Sequence, residues 1–342
     1  MKEYFLKERE LPRANLVMMT PGQESQFNGM AADLVQHPVG AAVFREVDGI
    51  LGFGLTESMC DPAGEALRDN AMAQPAIVAT TIAAKEVYQA EHPDMADIIP
   101  SFYIGHSLGE LTALYFAGVL SAHDVLIIAR ERGKLMQQVA EKTPGGMVTV
   151  ITNKNRDEVK ESDLLTIVDI CDQTGVYLAA YNSSSQYTIS GLTANIEEAI
   201  KLLRKHNGFM LFPLQNVPPS HTIYMKPAMK GLKQFIEDQG IVFRDPHSPV
   251  IMNATGKSAS WGADIKSGFI GQLVQPVRFD QGIQFARSYG VFSFMEFGPK
   301  ELLAKLIPQI FPKMYSKDRE PYFSAVSVFN VASARSTILT IK

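Results

Sequence analysis

The pentapeptide Gly105-His-Ser-Leu-Gly109 constrains the fold of this chain more than any other stretch. An apolar, β-prone segment, Ser101–Ile104, precedes it, and a helix-forming segment, Glu110–Ala117, follows at once. The G-x-S-x-G pattern between a strand and a helix is typical of a nucleophile elbow, because the two glycines allow the backbone to double back and expose the serine. It predicts Ser107 as a nucleophile at the start of a helix; the alternative is a surface serine in a turn.

A nucleophilic serine needs a base, and the chain offers seven histidines. His106 adjoins Ser107, but adjacent side chains at such a turn diverge, so we expect it to be structural. His221 follows a predicted strand and precedes a helical segment, and Pro218 and Pro219 would hold its approach rigid. Position therefore favours His221, although spacing alone leaves the choice open. His247 is expected in a loop, and four others are expected to be solvated, in loops or at helix ends: His37, His92, His123 and His206.

The composition is that of a globular protein without a polyanion-binding surface. Apolar residues make up 46% of the 342 residues, charged residues 20%, and the formal net charge is −4. Cys60 and Cys171 are far apart and fit no metal-ligand spacing, which indicates ordinary thiols in a reducing compartment. Neither a signal peptide nor a membrane span is apparent in the sequence, so we expect a cytoplasmic protein.

Strands alternating with helices over the first half predict a parallel α/β sheet. A strand is expected at Asn15–Thr20, a helix at Phe27–Gln36, and a longer helix at Pro75–Ala90 with Pro75 in its first turn. Ser121 is the predicted N-cap of the next helix. Further strands are expected near Val250–Asn253, Val291–Glu296 and Tyr322–Val328.

The pattern changes in the middle of the chain. A β run at Met147–Thr152 is followed by a polar helical segment, strands at Tyr177–Tyr181 and Gln186–Ser190, a helix at Ala194–His206 and a strand at Phe209–Leu214. This β-α-β-β-α-β order is that of a ferredoxin-like fold. We therefore predict an α/β-hydrolase-like parallel-sheet core, residues 1–142 and 215–342, with an inserted ferredoxin-like α+β small domain, residues 143–214.

Six motifs in one order then point to a family. They are Pro21-Gly-Gln-Glu-Ser-Gln26, Gly105-His-Ser-Leu-Gly-Glu110, Arg132-Gly-Lys134, Tyr181-Asn-Ser183 with Tyr187-Thr-Ile-Ser-Gly191, Pro219-Ser-His221-Thr-Ile-Tyr-Met225, and Glu296-Phe-Gly-Pro299. With them the chain resembles the malonyl-CoA:acyl carrier protein transacylases, a family that includes the enzyme of type II fatty acid synthesis and the acyltransferases of polyketide synthases. The resemblance runs from about Leu16 to about Ala325.

The resemblance implies a role for five positions besides Arg132. Ser107 would be the nucleophile and His221 its general base, oriented by the backbone carbonyl of Gln272 rather than by an aspartate. Backbone N–H groups of Gln23 and Leu108 would form the oxyanion hole. The second of these also fits the general rule that the residue after the elbow serine donates to the oxyanion.

Arg132 has two interpretations. It stands among apolar residues of a predicted helix, where an unpaired guanidinium would be costly to desolvate. From the residues alone, a structural salt bridge is the first explanation. The resemblance instead implies that its planar fork binds the free carboxylate of a malonyl group with two hydrogen bonds.

The resemblance also implies the substrates and the partner. Malonyl-CoA would acylate Ser107, and the phosphopantetheine thiol of an acyl carrier protein would then take the group, with neither a metal nor a redox cofactor. An acidic carrier could dock on a basic group, or these residues could be solvated helix faces: Lys201, Arg204, Lys205, Lys226, Lys230 and Lys233. We expect a monomer.

Other classes of protein remain as alternatives. An editing hydrolase on the same scaffold would remove acyl groups from carrier proteins, but such relatives are expected to lack Arg132. An ordinary esterase would carry an acid between serine and histidine, and a non-enzymatic binding module would leave Ser107 and His221 unexplained. One departure from the family concerns Glu24, where a glycine is usual: its side chain would restrict the loop or put negative charge near the acyl site.

Overall fold

The computed structural model describes residues 14–152, 161–214, 217–311 and 323–339. Its strands are β1 (Ala14–Thr20), β2 (Pro100–Gly105), β3 (Gly145–Ile151), β4 (Tyr177–Ser183), β5 (Gln186–Leu192), β6 (Met210–Pro213), β7 (Val250–Met252), β8 (Lys257–Ala259), β9 (Ser293–Phe297) and β10 (Ser324–Val328). Its helices are α1 (Pro38–Leu51), α2 (Leu55–Cys60), α3 (Asn70–Glu91), α4 (Gly109–Phe116), α5 (Ala122–Lys142), α6 (Glu161–Thr174), α7 (Thr193–Leu203), α8 (Lys226–Asp238), α9 (Gly262–Gly271), α10 (Phe279–Ser288), α11 (Ile307–Ile310) and α12 (Val331–Ser336).

The larger sheet has the strand order β10-β9-β1-β2-β7-β8 and is parallel except for β8, which runs antiparallel to β7. Helices cover both of its faces. In β1, Leu16 and Met18 enter one core cluster, whereas Val17 and Met19 enter another on the opposite face. Because a parallel strand buried on both sides needs apolar residues at every position, the run Leu-Val-Met-Met is continuous rather than alternating.

The smaller sheet is antiparallel, in the order β4-β5-β3-β6, and its core includes residues of α6 and α7. The β-α-β-β-α-β order of these elements confirms the ferredoxin-like expectation. Strand β4 contacts the large domain at the segment before α10, since the N–H of Tyr181 donates to the carbonyl of Val277 and that of Val277 to Ala179, each at 2.8 Å. The predicted domain boundaries stay predictions; residues 153–160 and 215–216 lie outside the described residues, as does Tyr322.

The helix predicted at Phe27–Gln36 is wrong. Those residues form turns and a short 3₁₀ segment, Leu34–Gln36, and the helix α1 begins only at Pro38. Gly29 has a left-handed backbone (φ +85°), which a continuing α-helix does not allow. The apolar residues that suggested a helix, Met30 and Leu34, are nevertheless buried, so their burial comes from turns.

The long helix α3 starts five residues earlier than predicted. Asp69 caps it by accepting from the N–H of Ala71, so Pro75 lies inside the helix and not in its first turn. A proline there donates no hydrogen bond to the preceding turn. By contrast, the predicted N-cap Ser121 accepts from the N–H of Asp124, as expected. No helix in the described parts of the chain is long and apolar enough to cross a membrane.

Candidate active site

Ser107 lies in a sharp turn between β2 and α4. Its own backbone is left-handed (φ +52°), and the helix begins at Gly109, two residues later than predicted. The glycines are required by contact: a Cβ on Gly105 would lie 2.0 Å from the carbonyl carbon of Gly109, and one on Gly109 would lie 2.0 Å from the oxygen of Thr20. The turn is therefore packed so tightly that no side chain fits at either glycine position.

His221 is in hydrogen-bond contact with this serine. Its Nε2 lies 2.8 Å from Oγ of Ser107, and its Nδ1 lies 2.8 Å from the carbonyl oxygen of Gln272 and 3.0 Å from that of Gln275. Because carbonyl oxygens only accept, Nδ1 carries the ring proton and Nε2 is left to accept from the serine hydroxyl. The arrangement suits a general base oriented by backbone carbonyls.

Burial sets the protonation state of His221. The imidazole is 5% exposed, and this burial, together with the positive charge of Arg132, lowers its pKa to about 4, against the raising effect of the carbonyl of Gln272. At neutral pH the ring is uncharged. It can therefore take a proton from Ser107 without first losing one.

Arg132 extends from α5 to the same place, with 1% of its surface exposed. Its Nη1 donates to Oε1 of Gln74 at 2.8 Å, and its Nη2 lies 3.5 Å from Oγ of Ser107. Within the described residues no carboxylate forms an ion pair with it, and Nε has no hydrogen-bond partner. The salt-bridge interpretation therefore has no support, and the Nε–Nη2 edge can receive a carboxylate with two hydrogen bonds.

The guanidinium keeps its charge despite its burial. Burial lowers the pKa of Arg132 to about 10, while the nearby carboxyl of Glu110 acts in the opposite direction. Removing a cation from water without a carboxylate partner is unfavourable, so this position carries a stability cost. Such a cost is typical of a binding group that waits for an anionic ligand.

The loop after β1 lies against the elbow. The N–H of His106 donates to the oxygen of Thr20 at 3.0 Å, and a Cβ on Gly22 would lie 2.3 Å from the oxygen of His106 and 3.4 Å from the nitrogen of Leu108. This contact brings Gly22, the residue before Gln23, beside the backbone of Leu108. The role of the N–H groups of Gln23 and Leu108 as an oxyanion hole stays a prediction.

Asn253 and Glu110 support the elbow, and sequence reasoning missed both. At the carboxyl end of β7, Oδ1 of Asn253 accepts from the N–H of Ser107 at 2.7 Å, and its Nδ2 donates to Gly105 at 2.7 Å. The carboxylate of Glu110 in turn accepts from the N–H of Asn253. The available signal for Asn253 was a polar residue directly after a buried parallel strand, the usual place for site residues in open α/β sheets.

Glu110 is fully buried in α4. Desolvation raises the pKa of its carboxyl to about 7, against hydrogen bonds from Asn253 and Gln272 and the charge of Arg132, which lower it. Glu110 follows the elbow directly in the sequence. The sequence therefore indicated that it lies near Ser107, but not that it is buried.

The other histidines lie outside the Ser107–His221 contact. His106 is structural, as predicted: it is hydrogen-bonded to Oδ1 of Asn182 at 2.8 Å, and burial lowers its pKa. The expectation of solvated side chains is wrong for His37, which pairs with Glu91, and for His92, which binds the carbonyl of Ala334. His247 lies in a loop beside the hydroxyl of Tyr103, and two are exposed: His123 and His206.

Glu24 adopts the backbone for which the family's usual glycine is suited. Its φ is +75°, in the left-handed region that costs a side-chain-bearing residue about 1–2 kcal/mol. It lines a cavity of about 180 Å³ together with Gln23, Arg68 and Asn70, among others. Burial raises the pKa of its carboxyl, against the charge of Lys300. Glu24 and Gln23 therefore both belong to the lining of this cavity.

No group of three or more histidine, cysteine, aspartate or glutamate side chains in the described ranges could hold a metal ion. Both cysteines, Cys60 and Cys171, are free thiols.

Comparison with known proteins identifies the family of this fold and site. The family model of the acyl transferase domain matches residues 17–322. The malonyl CoA-acyl carrier protein transacylase of Bacillus subtilis (strain 168) is 32% identical over 300 residues, covering 87% of this chain and 90% of the relative. The enzyme of the same name from Haemophilus influenzae is 32% identical over 321 residues, covering 92% and 96%.

Solved structures agree with the sequence match. A malonyl-transacylase in complex with its type II PKS acyl-carrier protein superposes with a TM-score of 0.81 at 30% identity, covering 93% of this chain and 97% of that one. The malonyl CoA-acyl carrier protein transacylase of Coxiella burnetii gives a TM-score of 0.81 at 28% identity, covering 94% and 96%. By fold, by site geometry and by sequence over most of its length, this chain belongs to the acyl transferase domain family.

Proposed function

We propose that this protein transfers a malonyl group from malonyl-CoA to the phosphopantetheine thiol of an acyl carrier protein through an ester on Ser107. The observation that carries the proposal is the position of Arg132, whose guanidinium lies 3.5 Å from the hydroxyl of a serine–histidine pair. A carboxylate bound there would place an attached thioester near the nucleophile. The two curated relatives described above are both named malonyl CoA-acyl carrier protein transacylase, which agrees with this substrate and acceptor.

In the first half of the reaction His221 takes the proton of Ser107 as Oγ attacks the thioester carbonyl. The oxyanion that forms would be stabilised by the N–H groups of Gln23 and Leu108. When the C–S bond breaks, the leaving thiolate of CoA takes the proton from Nε2 of His221. The product is a malonyl ester on Ser107.

The second half repeats these steps in reverse. The carrier thiol gives its proton to His221 and attacks the ester carbonyl, and the C–O bond to Ser107 breaks. Oγ then recovers the proton from His221. A thioester is exchanged for a thioester and no electrons are transferred, so the reaction as written calls for neither a metal nor a redox cofactor.

The carboxylate of the substrate supplies the specificity. Malonyl differs from acetyl by one carboxylate. A buried guanidinium with a free edge binds that carboxylate more strongly than an exposed lysine would, and so distinguishes the two acyl groups better. Branched malonyl groups share the carboxylate, so Arg132 selects for the class rather than for malonyl alone.

The carrier would approach over basic side chains of two helices. Lys226, Lys230 and Lys233 follow one another at helical spacing on α8, which begins five residues after His221, and all three are exposed. Lys201 on α7 and the following Arg204 and Lys205 are exposed as well. An acidic carrier of fatty acid or polyketide synthesis would complement this positive charge. We propose that the enzyme is a monomer and that it acts in the cytoplasm, together with its carrier.

Intact-protein mass spectrometry tests the proposal. Mixing with malonyl-CoA should add one malonyl group to Ser107, and adding a holo acyl carrier protein should move that group to the carrier. Loss of the adduct to water at one rate with and without carrier would instead indicate the editing hydrolase. An adduct from other acyl-CoAs but not from malonyl-CoA would overturn the substrate.

A further inference from the structure

A continuous row of side-chain amides begins at Arg132. Nη1 of Arg132 donates to Gln74, Nε2 of Gln74 donates to Oε1 of Gln23 at 3.3 Å, and Nε2 of Gln23 donates to Oδ1 of Asn70. Nδ2 of Asn70 then donates to Oε1 of Gln137 at 2.8 Å. We call these four amides, Gln74, Gln23, Asn70 and Gln137, the amide row.

The direction of the amide row is set by the arginine. A guanidinium can only donate, so the oxygen of Gln74 must face Arg132, which turns the NH₂ of Gln74 toward Gln23. The same argument then applies to each later member. One reversed amide would place two acceptors or two donors against each other, at a cost typical of an unpaired buried polar group. Every amide is therefore oriented by its neighbour.

The row is built into the packing of two helices. Gln74 is fully buried and Asn70 is 2% exposed, both on α3, while Gln137 lies on α5 five residues after Arg132. Gly133 makes this approach possible, because a Cβ there would lie 2.1 Å from the carbonyl oxygen of Asn70. Arg132 and Gly133 are thus used together: the arginine reaches the site, and the glycine leaves room for the backbone of Asn70 next to it.

The row joins two parts of the site that act on different ends of the acyl group. At one end Gln74 holds the guanidinium by Nη1, which leaves the Nε–Nη2 edge toward Ser107. In the middle Gln23 belongs to the loop beside Leu108, and its side chain is fixed by Asn70 and Gln74. A neutral row orients both groups without giving Arg132 a carboxylate that would compete with the substrate.

We propose that Asn70 and Gln137 are positioning residues of the acyl transfer: through the amide row they fix both the carboxylate-binding edge of Arg132 and the backbone of Gln23. The proposal rests on the function proposed above and extends it to residues outside contact with the acyl group. The row couples recognition of the carboxylate with stabilisation of the oxyanion. Weakening it should slow acylation by malonyl-CoA more than acylation by acetyl-CoA, because malonyl-CoA would use both Arg132 and the backbone of Gln23, whereas acetyl-CoA has no carboxylate for Arg132 to bind.

Two neighbouring glutamines of α5 give a matched test. Gln137→Met removes the last acceptor of the row with little change in volume, whereas Gln138→Met alters an exposed residue outside it. We expect Gln137→Met to lower kcat/KM for malonyl-CoA about fivefold or more, because Asn70, which is buried, loses its acceptor, and to lower the malonyl-to-acetyl ratio. Gln137→Glu keeps an acceptor for Asn70 and should restore most of the loss.

Asn70→Leu breaks the row at its centre and should have the larger effect, about tenfold or more on malonyl-CoA. The malonyl transfer of the wild-type enzyme is measured first and reports on the proposed function alone. Equal rates for Gln137→Met and Gln138→Met would overturn the amide row. So would an unchanged malonyl-to-acetyl ratio in variants that slow both substrates alike, which is the result of a merely structural role. If Asn70→Leu does not fold, the comparison of Gln137→Met with Gln138→Met tests the proposal by itself.

Discussion

The two sheets of this protein contribute to the site in different ways. In the parallel sheet, β1, β2 and β7 end side by side, and the residues after them are Gln23, Ser107 and Asn253. The antiparallel sheet closes its own core, which includes Val148, Ile189 and residues of α6 and α7. It reaches the site through β4, where Asn182 binds His106 and Ala179 and Tyr181 pair with Val277.

This difference follows from the way strands are connected. Parallel strands need long crossovers, so their carboxyl ends gather residues from distant parts of the chain at one edge. Antiparallel hairpins return locally, so the small sheet can fold around its own core. The chemistry should therefore depend on single side chains at the parallel edge, while the small sheet should affect mainly stability and the segment from Gln272 to Val277.

The largest expected effect is that of Ser107→Ala. Without Oγ no ester can form, so acylation by malonyl-CoA should fall about a thousandfold or more. Intact mass after mixing with malonyl-CoA measures it. Ser101→Ala is the control, because Ser101 lies on β2, the strand that leads to Ser107, and its hydroxyl donates to the carbonyl of Ala14. A malonyl adduct on the Ser107→Ala protein would show that another residue is the nucleophile.

Arg132→Ala should come next. If the buried guanidinium binds the malonyl carboxylate as proposed, its loss should lower kcat/KM for malonyl-CoA about a hundredfold or more and leave acetyl-CoA nearly unaffected. The measurement is the acylation rate with each acyl-CoA. Arg130→Ala, on the same helix, removes a guanidinium stacked on Phe53 and should leave the ratio unchanged. A variant at Arg132 that still prefers malonyl would exclude the guanidinium as the carboxylate ligand.

A site residue could be predicted from the sequence where a short motif around it indicated its role. Ser107 has a pentapeptide of its own, and the family resemblance then supplied His221 and the carbonyl of Gln272, both of which lie where it implied. The contacts of Asn253 and of the amide row could not be found, because the partners are far apart in sequence and meet only when β7, α3 and α5 pack.

The errors in the fold have the same origin. The segment Phe27–Gln36 has helical periodicity, but Gly29 takes a left-handed backbone and the tertiary contacts bury Met30 and Leu34 without a helix. Pro75 indicated a helix start by its usual preference, yet Asp69 caps the helix earlier and the packing of α3 tolerates the proline inside. Local propensity was overruled by burial in both places.

The pH dependence of acylation sharpens the same comparison. Because burial lowers the pKa of His221 to about 4, the base stays neutral from pH 8 down to about 5, where an unperturbed histidine with a pKa near 6.5 would be mostly protonated. The acid limb of kcat/KM should therefore lie near pH 4. Rates measured on the folded enzyme by single-turnover acylation test this. Glu110→Gln is the control, because the carboxyl of Glu110, with a pKa of about 7, could itself produce an acid limb near pH 6.5. A limb at pH 6.5 that persists in this variant would mean that His221 is not the base, or is less buried during catalysis.

The smallest effect on the chemistry is expected from the small sheet. Ile189→Ala removes a fully buried side chain of β5 and should lower the free energy of unfolding by about 2–5 kcal/mol, with kcat/KM for malonyl-CoA within about twofold of wild type under conditions where the protein is folded. Ile104→Ala makes a similar cavity in β2, three residues before Ser107, and should reduce both stability and rate. Denaturant unfolding measures the loss of stability in both variants, and the rate of acylation by malonyl-CoA measures the loss of activity. A tenfold loss of rate in folded Ile189→Ala would mean that β4 transmits the packing of the small sheet to the segment that orients His221.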